Sequence, residues 1–205
     1  MDVAQIGKVY AQLDPPIWLV TAAEDGRRGG FIATTVAQAS IVDVMPRQLI
    51  TVNQRHHTHE LIEASGAFAM HLIDETQLEL IWRFGLQSGR DVDKLAGLTC
   101  QAGATGSPLL ADAVAWLDCR VESRMDSGDR TIYLAGVVDG RLQRTEPPLT
   151  NRRFFDIAPP DKQKIMSEQY DHDARLDAAV IQQWRDRRSG LAVPDVSSDA
   201  DLERK

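Results

Sequence analysis

The chain reads as a mainly β protein, a barrel-like sheet decorated by short helices and followed by one long C-terminal helix. Three observations carry this reading. Short β-branched runs recur between turns rich in glycine and aspartate, the helical patterns between them are brief, and a long polar segment of helical spacing begins only at Pro159-Pro160-Asp161. A doubly wound nucleotide-binding sheet would alternate strands with long crossover helices, and that alternation is missing.

In chain order, residues 17–20 form a first strand, Glu24-Asp25-Gly26 turns the chain, and residues 31–36 return as the hairpin partner. A strand at 48–53 follows Pro46. Residues 59–65 read as a helix, with Leu61 and Ile62 inward and Gly66 as its stop. Residues 76–84 read as another, carrying Leu78, Ile81 and Trp82 at three- and four-residue spacing. Between the two, residues 67–73 alternate as a strand. After a polar stretch at 87–106, strands at 115–124 and 131–138 make a meander around Asp126-Ser127-Gly128-Asp129, with Asp139-Gly140 as the next turn. Beyond 159, Ile165, Leu176, Val180 and Trp184 form one narrow apolar stripe, so a helix over 159–188 should lie on the barrel or on a second subunit. From 189 onward Gly, Pro, Ser and Asp dominate. The expected division is therefore a sheet domain at 1–158, a helical extension at 159–188 and a disordered tail at 189–205.

Composition narrows the function classes. The 205 residues are 43% apolar and 26% charged, and 23 Lys+Arg against 30 Asp+Glu leave a net charge of −7. No basic surplus advertises nucleic acid. No apolar run reaches the roughly eighteen residues of a membrane span, and residues 1–12 lack the charge and apolar pattern of a signal peptide. Two cysteines are too few for a disulfide framework, so a cytoplasmic protein is expected. Cys100 and Cys119 make no C-x-x-C pair and are assigned no catalytic role.

Three clusters could carry chemistry. The first, from Gly29-Gly30 through Ile32, Ala33, Thr34 and Thr35 to Ser40, puts glycines and hydroxyls at a hairpin exit. It suits an anionic group, or else two glycines that turn the chain beside β-favouring threonines. The second, Asn53-Gln54-Arg55-His56-His57-Thr58-His59-Glu60, lies between a strand end and a helix start, where free amides and the helix dipole favour a phosphate. Thr58 could cap that helix. Its three histidines invite a metal, but no second cluster supplies the remaining ligands, and no metal site is expected. The third is the turn Ser127-Gly128-Asp129-Arg130. No nucleophile elbow, phosphate-binding P-loop or H-E-x-x-H helix is present, so any redox chemistry would belong to a bound cofactor.

In this order, these clusters resemble the flavin reductase-like family of FMN-binding split-barrel proteins, from about residue 17 to 154. Gly29-Gly30-Phe31-Ile32-Ala33-Thr34 through Ser40 is similar to the family's N-G-x-x-A-S…S segment, and Arg55 to Thr58 to its basic-x-x-T turn. Ser65-Gly66-Ala67-Phe68 through Leu72 matches its S-G-x-F-x-x-x-x-L helix end with one residue fewer before the leucine. Asp93-Lys94-Leu95, Gly106-Ser107-Pro108-Leu109-Leu110, Trp116-Leu117-Asp118-Cys119 and Gly128-Asp129-Arg130 stand for D-K-F, G-x-P-x-L, aromatic-x-x-C and G-D-H. Leu95 replaces a phenylalanine, Arg130 replaces a histidine, and residues 40–46 replace a shorter S-x-x-P-P.

The resemblance implies a homodimer that binds FMN, with FAD as the alternative, and takes hydride from NADH or NADPH for an acceptor such as a flavin-dependent monooxygenase. Thr34, Thr35, Arg55 and Thr58 would hold the phosphate, flanked by His57 and His59. Ile32 and Ala33 would line the flavin ring, with Ser40 and Asn53 as nearby polar contacts. Arg130 would be the catalytic candidate, as a positive field for the reduced ring, against the plainer reading of a surface-loop arginine. A flavin-binding dimer without reductase turnover and a split barrel holding haem or another ligand are the alternatives.

Overall fold

The computed structural model describes residues 2–190. Its strands are β1 (Trp18–Glu24), β2 (Arg27–Ala33), β3 (Val36–Gln38), β4 (Arg47–Asn53), β5 (Ala67–Leu72), β6 (Cys100–Ala102), β7 (Pro108–Leu110), β8 (Ala115–Asp126) and β9 (Arg130–Leu142). Helices α1 (Val3–Tyr10), α2 (His57–Ser65), α3 (Leu78–Gly85), α4 (Asn151–Ile157) and α5 (Pro160–Arg188) surround them. Seven strands pair antiparallel in the order β2-β1-β5-β8-β9-β4-β3, and β6 with β7 makes a separate ribbon.

Strand order and covalent reach together force the sheet to curl. β2 and β3 are its opposite edges, yet only Thr34 and Thr35 join them. Three Cα steps let Ala33 and Val36 lie at most about 11 Å apart, so the two edges must meet. At the link the Thr51 amide donates to the Thr35 carbonyl at 3.3 Å, carrying the β3–β4 pairing one residue further. The single strand expected at 31–36 is thus broken in two, because its second half has left one edge for the other.

Two cores lie on the two faces of the sheet. Inside the curl, Val20, Phe31, Ile50, Phe68, Met70 and Tyr133 pack with Leu61 and Ile62 of α2. Outside it, Leu19, Ile73, Ile81, Trp82, Phe84, Leu95, Leu110 and Phe154 join α3, β7 and α4 to the back of β1 and β5. The two-residue alternation read at 67–73 therefore does not divide inside from water: Ala67 through His71 are all buried. His71 stays neutral there, since burial lowers its pKa to about 4. Its Nδ1–H donates to the Leu19 carbonyl at 2.9 Å while Nε2 accepts the Leu110 amide at 3.2 Å.

α2 ends where expected, with Gly66 in the left-handed region at φ 65°. Asp74 caps the short 3₁₀ turn Glu75–Gln77 that leads into α3. The meander strands run longer than expected, to Asp126 and Leu142. α1, α4, β6 and β7 have no counterpart in the sequence reading. α5 covers 29 of the 30 residues anticipated, and only half of its expected apolar stripe docks: Ile165 and Leu176 are exposed, Val180 and Trp184 are half-buried, and the fully buried residue of this helix is Asp177. Of the tail expected at 189–205, the part beyond Gly190 lies outside the described residues.

Candidate functional site

The site forms where β4 runs into α2. Asn53 ends the strand, and its Oδ1 accepts the Arg55 amide at 2.9 Å, bending the chain toward the helix. His56 is the N-cap and makes no side-chain cap bond. Thr58, expected as the cap, instead sits in the first turn of the helix and is buried. Opposite α2 runs the glycine pair of β2. These residues lie within the strand, and not at a turn, for a packing reason: a Cβ on Gly30 would come within 2.7 Å of the Val20 carbonyl and 2.8 Å of the Phe84 ring.

A cleft of about 440 Å³ opens between these elements. Phe31, Ile32, Phe84 and Leu86 give it apolar surface, while Arg55, His56, His57 and Thr58 give it polar and cationic surface. Residues 87–91 form a rim, and α5 closes one side with Gln169 and Asp173. The cleft lies within the size range of small-molecule sites and combines an apolar wall with a few convergent polar groups. Lys94 also lines it. Only 5% exposed, Lys94 donates to the Phe84 carbonyl at 2.9 Å, and no carboxylate pairs with it among the described residues. Burial lowers its pKa to about 8, which leaves it a cation at neutral pH. Its neighbour Asp93 is committed elsewhere, gripping Arg28 at 2.7 Å.

The histidines of the second cluster part ways. His57 is wedged between Gly29 and Gly89, and its buried Nδ1 faces the Glu60 carboxylate at 3.6 Å, beyond hydrogen-bond length. His56 tilts against Phe31 with ring centres 5.3 Å apart. Desolvation by the surrounding protein, then the charges of Lys94 and Arg130, lower its pKa to about 4, although part of the residue stays open to the cleft. His59 faces away, toward β9, where its Nε2 meets the Thr131 hydroxyl at 2.9 Å.

Of the residues proposed from sequence, Ile32, Arg55, His57 and Thr58 line this cleft. The others lie elsewhere. Ala33 points into the inner core, and Thr34 and Thr35 are exposed at the seam. Ser40 organises its own loop, accepting the Val42 amide at 3.0 Å. Asn53 is buried beside α5, donating to Asp177 at 3.1 Å. Arg130 is not among the lining residues; it pairs with Asp129 at 3.0 Å and with Asp177 at 3.3 Å. Sequence reasoning missed Lys94, the 84–91 segment, Gln169 and Asp173. Only Lys94 left a signal, as the middle of Asp93-Lys94-Leu95. Among the described residues no three His, Cys, Asp or Glu side chains converge as metal ligands. Cys119 is buried, which pushes its thiol up to about 12 and leaves it unreactive at neutral pH.

A curled antiparallel sheet with a cleft that joins apolar to polar and cationic surface defines a barrel-like protein with a candidate small-molecule site. The comparisons make that class specific. Residues 10–158 match the flavin reductase like domain. The chain is 32% identical over 152 residues to a ferric-chelate reductase (NAD(P)H) of Archaeoglobus fulgidus, covering 73% of this chain and 86% of that one. It is 32% identical over 143 residues to the high molecular weight rubredoxin of Moorella thermoacetica, covering 69% of this chain but spanning only 62% of that relative's length. Nitrilotriacetate monooxygenase component B from Mycobacterium thermoresistibile superposes with a TM-score of 0.63 at 26% identity, covering 73% of this chain and 82% of that one. The chain belongs to the flavin reductase-like family.

Proposed function

We propose that the chain is an NAD(P)H-dependent flavin reductase whose flavin, FMN or FAD, sits in the cleft between β2 and the start of α2. The single observation that carries this is the union, in one cleft of a flavin reductase-like domain, of the apolar Phe31–Ile32 edge with the Arg55–Thr58 turn. The donor set fits such a cofactor. Phe31, Ile32 and Leu86 offer surface to a planar ring, and Arg55 and the first amides of α2 offer charge and dipole to a phosphate. When bound, the flavin supplies the hydride-accepting ring; the chain binds it, orients it and excludes water. Lys94, buried beside the apolar wall, holds the positive charge best placed to favour a reduced, anionic ring. In this reading Arg130 acts at the phosphate end, with Thr34, Thr35, Ser40, Asn53 and His59 supporting the seam and the turn.

The assembly is a homodimer. Ile41, Val44 and Met45, exposed in the loop after β3, and α1, none of whose residues is buried, offer apolar surface that a second copy would cover. The electron acceptor is a flavin-dependent monooxygenase, by analogy with the monooxygenase component named above. Two free thiols support a reducing, cytoplasmic setting, and no helix among the described residues is long and apolar enough to cross a membrane.

The test is anaerobic mixing of the purified protein and FMN, FAD or riboflavin with NADH and with NADPH. Bleaching of the flavin absorbance at catalytic protein concentrations is expected, and a flavin that stays oxidised would remove the reductase reading. Replacing Arg55 or Thr58 with Ala should each cost about 1.5–3 kcal/mol of FMN affinity, tenfold or more in Kd. An unchanged affinity would displace the phosphate from this turn.

A further inference from the structure

The C-terminal helix places a carboxylate where an anion-binding cluster would otherwise be free. Asp177 is the fully buried residue of the 29-residue helix α5. Its Oδ1 accepts from Arg55 Nη2 at 2.8 Å and from Asn53 Nδ2 at 3.1 Å. Its Oδ2 accepts from Arg130 Nη2 at 3.3 Å and from the same Asn53 nitrogen at 3.2 Å. Gln169, Asp173 and Asp177 stand four residues apart on one face of α5, so the helix that closes the cleft continues directly into this cluster. Asp173 reaches Arg55 as well, at 3.4 Å, and Asp129 holds Arg130.

We propose that Asp177 is a built-in anion that competes with the phosphate of a phosphorylated flavin, making α5 the determinant of discrimination between flavins with and without that phosphate. The inference rests on the flavin reading above. Its physical basis is a finite supply of donors. Two guanidinium groups face three carboxylates, so the cluster already carries surplus negative charge, and the Arg55, Arg130 and Asn53 groups that would clasp a phosphate are spoken for. A dianion arriving at Arg55 must expel Asp177 and loosen this stretch of α5. A flavin without phosphate makes no such demand.

The experiment compares FMN with riboflavin, titrated by flavin fluorescence into the full-length protein and into Asp177→Asn, which keeps the side-chain shape. The affinity ratio of FMN to riboflavin should rise at least tenfold in the variant through tighter FMN binding. A ratio that stays the same or falls would overturn the proposal, because Asp177 would then be orienting Arg55 for the phosphate and not opposing it. A second measurement needs no variant. FMN should speed amide hydrogen exchange across residues 169–184 of the unaltered protein and riboflavin should not; equal effects of the two ligands overturn the proposal. If both flavins bind and the ratio does not move, only the role of Asp177 falls. If neither binds, the flavin reading falls and takes this one with it.

Discussion

Lys94 is the residue whose chemistry is most exposed to test. Burial holds its pKa at about 8 against an ordinary 10.5, so it is charged below about 8 and neutral above. If it stands beside the flavin, affinity for FMN should weaken as pH rises through about 8, and Lys94→Met should bind FMN more weakly with no such inflection. The stability sign is opposite. Between about 8 and 10.5 the unfolded chain holds a proton that the native state has released, so native stability should rise across that window, and Lys94→Met should lose the rise. Urea unfolding at pH 8 and pH 10 reads it. Gly30 makes the simplest packing prediction. Gly30→Ala drives a methyl against backbone and a buried ring on both sides, and should cost about 1–3 kcal/mol, seen as a lower urea midpoint.

Among the elements, α5 is held near its start by Met166 against the outer core, in its middle by Asp177 in the cation cluster, and near its end by Trp184 over the β8–β9 turn. Gly128 in that turn has φ 100°, and a Cβ there would stand 3.0 Å from the Trp184 Cβ. Gly128→Ala therefore meets both backbone strain and a clash. It should accelerate hydrogen exchange in the last three turns of α5 while leaving the sheet protected, and uniform destabilisation would show that α5 is not a separately docked unit. What sequence could and could not reveal follows from the same geometry. The hairpin, α2 with its Gly66 stop, α3 and the meander were legible because their periodicity and turn residues are local. The broken strand at Thr34-Thr35 was not, because nothing in two threonines tells the chain to change sheet edges. In α5 the apolar stripe was legible and its Val180–Trp184 end does dock, but the carboxylate between was not, since a buried aspartate announces itself only through the arginines it meets. Four of the proposed site residues share the cleft because they flank the two glycines and the helix start. Lys94 and Asp173 reach it through tertiary packing, which no local pattern encodes.

For the molecule as a whole, acid is the predicted weakness. His71 is fully buried, hydrogen-bonded to Leu19 and Leu110 of the outer core, with its pKa lowered to about 4, while in the unfolded chain it titrates near 6.5. As pH falls through that window the unfolded state takes up a proton the native state refuses, so stability should drop by up to about 1.4 kcal/mol per pH unit for this group. Urea midpoints measured from pH 7 to pH 5 should fall accordingly, and a flat profile would mean that His71 is not held neutral.

The two-residue link between β2 and β3 has a mechanical corollary. Because covalent bonds tether one rim of the aperture to the other, its width is fixed by chain length and not by the strength of any lateral contact. Lengthening that tether by a few glycines should let the rims separate, flattening a curled sheet into an adhesive ribbon with two exposed strand edges.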